Sequence, residues 1–106
     1  MATIFAEATP PGRGGVSIVR LSGPVSRQVA EELAGALPEA RYCYYRAVRD
    51  GEDLIDRALV VRFAAGASFT GEESCEFHLH GAPVVVKRLE AALLARGLRR
   101  AEAGEF

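Results

Sequence analysis

The chain has 106 residues, with 13 basic and 14 acidic side chains for a formal net charge of −1. One ordinary domain fits that length, which excludes barrel enzymes of about 250 residues and any architecture with two independent cores. Hydrophobic residues at 49% and charged residues at 25% exclude a disordered chain, and the balance of charge excludes bulk electrostatic binding to nucleic acid.

Thr3 to Ala8 reads as a short strand, and the Thr9-Pro10-Pro11-Gly12 segment stops it because proline has no N–H to give a ladder. After Arg13-Gly14-Gly15 a second strand is predicted from Val16 to Leu21, ending at Ser22-Gly23, with Val16, Ile18 and Arg20 alternating against Ser17, Val19 and Leu21. Pro24 suits the first turn of a helix, where its missing N–H costs nothing. Val25, Val29, Leu33 and Leu37 recur every four residues and predict one apolar stripe, with Arg27, Gln28, Glu31 and Glu32 on the opposite face. Gly35 weakens the last turn, and Pro38 is the expected stop.

Tyr42 to Val48 is strand-like, and Asp50-Gly51 is a hairpin signal leading into a strand from Leu54 to Phe63. Ala64 to Ser74, with its small residues, two glycines and Glu72-Glu73, reads as an exposed loop. Cys75 to His80 is the next strand, broken by Gly81 and Pro83. A second helix is predicted from Pro83 to Arg96, burying Val85, Leu89 and Leu93 and stopping at Gly97, and Leu98 to Ala101 adds a last strand. This order of elements predicts an α+β fold: an antiparallel or mixed sheet with two helices packed on it. The longest stretch without Asp, Glu, Lys or Arg is Phe77 to Val86, ten residues, half of a membrane span. The opening Met1 to Glu7 has no basic n-region or long apolar run, so no signal peptide is expected. Cys43 and Cys75 are expected as reduced thiols and the compartment as cytoplasmic.

Three features bear on chemistry. Pro11-Gly12-Arg13-Gly14-Gly15 can cradle an anion with its backbone amides or serve as a tight turn between strands. It is not a Walker loop, because no Gly-Lys-Ser/Thr follows it. On the Cys75–His80 strand, alternation puts Cys75, Phe77 and Leu79 on a core face and Glu76, His78 and His80 on the other. That second set is compatible with a solvated face, with a two-histidine, one-carboxylate metal site, or with a polar pocket. A carboxylate accepts two parallel hydrogen bonds, so Glu76 suits a heterocycle presenting an N–H beside an amino group, such as a pterin or guanine. Arg20 shares its face with Val16 and Ile18, where it pairs with a carboxylate, lies at an edge or binds a ligand. No nucleophile–base set can be assembled from the serines or the cysteines, so no catalytic residue is expected.

Several of these segments, taken together, resemble one family. Thr3-Ile4, Ala8-Thr9-Pro10-Pro11-Gly12-Arg13-Gly14-Gly15-Val16 and Arg20-Leu21-Ser22-Gly23 are similar to the opening of the bacterial tRNA modification GTPases MnmE (TrmE). So are Ser68-Phe69-Thr70-Gly71-Glu72-Glu73, Glu76, His80-Gly81 and the final Gly104-Glu105-Phe106. The resemblance is colinear over the whole chain. It implies a first domain, residues 1–106, similar in fold to the tetrahydrofolate-binding domain of aminomethyltransferases, that binds 5-formyl-tetrahydrofolate and mediates homodimerisation. It also implies that the family's folate-contacting arginine and glutamate fall on Arg20 and Glu76. The implied role is supply of a one-carbon unit for wobble-uridine modification of tRNA, with an FAD-dependent partner protein. The family's helical and GTPase domains, with their GTP, Mg2+ and K+, have no motif in this sequence, so a fragment lacking GTPase activity is expected. His78 and Cys75 are not part of the resemblance.

Overall fold

A computed structural model describes residues 2–8, 15–66 and 71–106. Among the described residues the order is β1 (Ile4–Glu7), β2 (Val16–Ser22), α1 (Ser26–Ala34), β3 (Tyr44–Asp50), β4 (Asp53–Phe63), β5 (Ser74–His80), α2 (Pro83–Ala95) and β6 (Arg99–Arg100). The strands form one sheet in the order β3-β4-β5-β2-β1-β6. The β1–β6 pair is parallel and the other pairs are antiparallel, so the sheet is mixed and the fold α+β, as expected.

Both helices lie on one face of the sheet. Val29, Ala30 and Leu33 of α1 and Val86, Leu89, Ala92 and Leu93 of α2 pack with Phe5, Val19, Leu21, Val48, Ala58, Val60, Cys75, Phe77 and Leu79 in a single core. Period-two alternation selects the strand residues in that list and helical periodicity the others. Cys75, Phe77 and Leu79 face the core as predicted. On β2 the alternating residues Ser17, Val19 and Leu21 are buried, and so is Ser22 at the strand's end. The face shared by Val16, Ile18 and Arg20 is therefore the one the helices leave open, which is why an arginine is accommodated among apolar residues there.

Helix α1 is shorter than its apolar spacing predicts. It begins at Ser26, leaving Val25 as an N-cap residue on the surface rather than in the core stripe. The buried Ser26 hydroxyl, with one proton to share, lies 3.0 Å from Gly23 O and 2.9 Å from Glu73 O. Gly23 is required at the turn: at φ +137° a Cβ there would lie 2.7 Å from Thr3 Cα. At the other end Gly35, at φ +86°, stops the helix ahead of Pro38. Leu37 is still fully buried.

The linker from α1 to β3 is held from β4. Arg62, a buried side chain, donates from Nε to Leu37 O at 2.5 Å and from Nη2 to Pro38 O at 2.6 Å. The same guanidinium lies 3.8 Å from the Glu73 carboxylate. Glu73 O also receives the Gly23 N–H at 2.9 Å. The segment predicted as an exposed loop is thus anchored at its C-terminal end, and Ser74 is buried within β5. The hairpin forms at Asp50-Gly51 as expected, with Asp50 opposite Asp53 and a bulge at Val48/Arg49. Helix α2 follows the prediction to within a residue, although Val86 and Ala92 are buried where Val85 is only partly so.

Candidate functional site

Antiparallel pairing of β2 with β5 sets Arg20 directly opposite Glu76, 56 positions apart in the chain. Facing side chains on neighbouring strands point to the same side of a sheet, and here that is the open side. Arg20 donates from Nε to Glu76 Oε2 at 2.8 Å, and its Nη2 lies 2.7 Å from the same oxygen. The other carboxylate oxygen, Oε1, is 3.0 Å from His78 Nε2, two residues along β5. Glu76 is therefore oriented from both sides, by a guanidinium across the ladder and an imidazole along the strand. Its side chain is 15% exposed and that of Arg20 26%, so the pair is accessible yet partly desolvated.

The neighbours of this cluster are mostly apolar. Ala6 of β1 faces Arg20, Val61 of β4 faces Glu76, and Ile18 and Leu59 flank His78. Val61 is buried and Leu59 exposed. A small cavity of about 190 Å³ adjoins Arg20 and is lined by Ala6, Glu7, Ala8, Arg20 and Phe106. A larger hollow of about 490 Å³, lined by Pro24, Arg27, Gln28, Glu31, Glu32 and Glu73, runs along α1 away from the cluster. Surface groups of one helix and a loop end make its walls. The Glu31 carboxylate within it is committed to the Leu37 N–H at 2.7 Å, a bond that holds its pKa below the ordinary value. We place the candidate site at Arg20 and Glu76, where independent strands converge.

The arrangement does not form the metal triad that alternation left open. His80 is turned to β4, with Nδ1 2.8 Å from Asp56 Oδ1 and its backbone N–H donating to Asp56 Oδ2 at 2.9 Å. It shares no ligand point with Glu76 and His78. Among the described residues no group of three His, Cys, Asp or Glu side chains is placed to hold a metal ion. The glycine-rich Pro11-Gly12-Arg13-Gly14 and the Ser68-Phe69-Thr70 motif lie outside the described residues.

Sequence reasoning missed two parts of the neighbourhood. One is His78 as the second hydrogen-bond partner of Glu76, for which the i, i+2 spacing on one strand was the available signal. The other is the C-terminal turn. Arg99 of β6 grips the Glu105 carboxylate through Nη1 at 2.8 Å and through Nη2. The Glu102 N–H donates to Glu105 Oε1 at 2.7 Å, and the Glu105 N–H donates to Glu102 O at 3.0 Å. The Arg99 guanidinium, with the Glu102 N–H, holds the Glu105 carboxyl down at about 2. This turn carries Phe106 to the wall of the cavity beside Arg20.

Comparison with known proteins places these residues in a wider setting. The family described as GTP-binding protein TrmE N-terminus matches residues 3–106. A tRNA modification GTPase MnmE from Paracoccus denitrificans is 70% identical over 106 residues, covering all of this chain and 25% of that protein. The protein of the same name from Caulobacter vibrioides is 51% identical over 104 residues, covering 98% of this chain and 23% of its own length. That from Coxiella burnetii is 43% identical over 104 residues, with the same coverage. The chain spans about a quarter of the length of the curated relatives it matches.

Proposed function

The chain belongs to the family of the GTP-binding protein TrmE N-terminus, and from that membership we propose that it binds 5-formyl-tetrahydrofolate at Arg20 and Glu76 and mediates homodimerisation. The observation that carries the binding half is the paired geometry of Glu76. Each carboxylate oxygen has two lone-pair directions, and the protein's donors approach Oε2 from Arg20 and Oε1 from His78. Oε1 has a lone-pair direction beyond the one that meets His78, whereas Oε2 already meets both Nε and Nη2 of Arg20, so an amino-pyrimidine edge donates to Oε1 and takes the place of one Arg20 contact at Oε2. The residues present therefore suit a pterin: a fixed acceptor for its polar edge, a planar guanidinium to stack or donate, and apolar neighbours in Val61 and Ala6.

In this reading residues 1–106 act as one folate-binding and dimerisation domain, similar in fold to the tetrahydrofolate-binding domain of aminomethyltransferases. The folate, once bound, supplies a one-carbon unit, and this chain's part is to bind and orient it. GTP hydrolysis, with Mg2+ and K+, belongs to the remainder of the whole protein. So do contact with tRNA, whose wobble uridine (U34) is modified, and with an FAD-dependent partner protein. The assembly works in the cytoplasm. The described residues contain no helix long and apolar enough to cross a membrane.

The test is a calorimetric titration of this chain with 5-formyl-tetrahydrofolate beside Glu76→Ala. Saturable binding by the parent and a loss of at least tenfold in the variant is the expected result. Glu76→Ala affinity within a factor of two of the parent would refute the assignment of Glu76. Light scattering on the same sample tests the second half, because a monomer at micromolar concentration overturns dimerisation by this chain alone.

A further inference from the structure

We infer that Arg41 and Tyr42, at the end of the linker into β3, hold one unpaired nucleotide of an RNA strand, the tyrosine stacking on its base and the arginine meeting its phosphate. This contact lies outside the folate reading of Glu76, which uses neither residue, and adds to the tRNA contact assigned above to the remainder of the whole protein. It rests on that assignment only for the presence of RNA. The first observation is backbone strain. Arg41, at φ +66°, is the one non-glycine residue at positive φ among the described residues, a conformation that costs any L side chain free energy. Such a cost persists where the surroundings over-determine it, and they do so here. The Arg41 N–H donates to Arg62 O at 2.8 Å, while the Arg62 side chain holds the Leu37 and Pro38 carbonyls earlier in the same linker. The side chain so presented is exposed, and its guanidinium has no hydrogen-bond or ion-pair partner among the described residues.

The second observation is a braced aromatic column beside that arginine. Tyr44 of β3 is fixed on three sides: the Arg46 guanidinium lies 4.6 Å from its ring centroid, its hydroxyl accepts the Glu39 N–H at 3.0 Å, and the Tyr42 ring meets it in a T-shaped contact at 4.7 Å. Arg46 is tied in turn to Ala34 O at 3.2 Å. Tyr42 is the outer member of this column and is 54% exposed, so a rigid ring stands open next to an unpaired cation. Every base has a π face, and a base in a single strand is free to lie on such a ring, whereas a duplex keeps its bases stacked inside. Charge alone does not supply the contact. The chain has a net charge of −1, and the Glu39 carboxylate is exposed in the same linker. Stacking therefore carries the affinity, and Arg41 adds a single phosphate contact.

An NMR titration of this chain with a short oligouridylate, beside an RNA duplex of the same length, tests the site. The single strand is expected to shift the Tyr42 ring protons saturably and to bind at least tenfold tighter than the duplex. Tyr42→Ala is expected to weaken the single strand by about tenfold, the scale of one lost base stack, and Tyr42→Phe to stay within twofold of the parent. Tyr42 lies ahead of β3 and outside the core, so its replacement leaves the core intact. Arg41→Gly removes the guanidinium and relieves the positive φ at once. It is expected to weaken binding several-fold, to lower the salt dependence by about one phosphate contact, and to raise the urea midpoint of unfolding. A lower midpoint in Arg41→Gly would make the arginine a structural residue and overturn its assignment. Equal affinity for strand and duplex, or equal affinity of Tyr42→Ala and parent, would overturn the stacking role. No saturable binding by the parent up to millimolar strand would overturn the whole inference and leave the folate titration, which uses neither residue, to stand or fall by itself.

Discussion

Two cysteines with opposite surroundings show how far position governs chemistry in this chain. Cys75 faces the core from β5, fully buried, and desolvation, with a further push from the Glu73 carboxylate, raises its thiol to about 12. Cys43 lies exposed just ahead of β3. Only the thiolate reacts, so at pH 8 an alkylating reagent is expected to modify one thiol per native chain, at Cys43, and two in denaturant. Rapid modification of both in the native state would mean that β5 opens locally. Glu76 is the complementary case of a side chain fixed by its partners. Alternation along β5 made its face legible from sequence and put His78 on that face, but the pairing with Arg20 was not legible. Arg20 is 56 positions away and meets it only through the register of β2 on β5. The role of Arg62 left no trace in the sequence at all, because its acceptors are backbone carbonyls at Leu37 and Pro38.

At the scale of elements, the C-terminal turn has a pH dependence whose sign follows from Glu105. Its carboxyl is lowered from 4.5 to about 2. A lowered folded-state value means that the contact contributes fully above the ordinary carboxylate range and is lost as pH falls toward 2. The Phe106 ring is therefore expected to keep one environment from pH 8 to about 4.5 and to move to a solvated one between about 4.5 and 2, followed by its NMR ring-proton shifts. Arg99→Ala is expected to give the solvated shifts already at neutral pH. Shifts that stay unchanged in Arg99→Ala would mean that the turn is held by something other than this pair. The last strand, expected at Leu98 to Ala101, forms at Arg99–Arg100, but the turn after it was not legible, since an ion pair across six positions carries no periodic signal. Long periodic elements were: α2 and β5 follow their patterns to within a residue. Helix α1 departs at both ends, and at its finish the local reason is Gly35. Four-residue spacing reports which face is buried and says nothing about where the first hydrogen bond closes.

For the molecule as a whole, Arg96 at the end of α2 joins parts that the chain order keeps apart. Its Nε lies 3.2 Å from Glu32 of α1, its Nη2 3.0 Å from Asp50 at the β3–β4 hairpin, and its Nη1 donates to Ala92 O at 3.1 Å. Both carboxylates are nearly half exposed, so solvent screens each pair and the contribution is at the scale of surface ion pairs. Arg96→Ala is expected to cost about 1 kcal/mol in urea unfolding, with a smaller difference from the parent in high salt. A difference that does not shrink with salt would assign the effect to packing of the arginine stem instead.

The sheet order has a consequence for colloidal behaviour. Among the described strands, β3 and β6 each pair on one side only, so the sheet ends in two edges. Open edges are templates for another chain's backbone, and proteins blunt them with short strands, bulges and charge. Here β6 is two residues long and both are arginine, while β3 carries Arg46 and Arg49 and is bulged at Val48/Arg49. Arginines thus stand at both margins of the sheet; on β6 Arg99 is paired with Glu105 and Arg100 with Glu90, so an incoming strand would have to displace these ion pairs. Association of this chain with itself is therefore steered away from edge-to-edge growth.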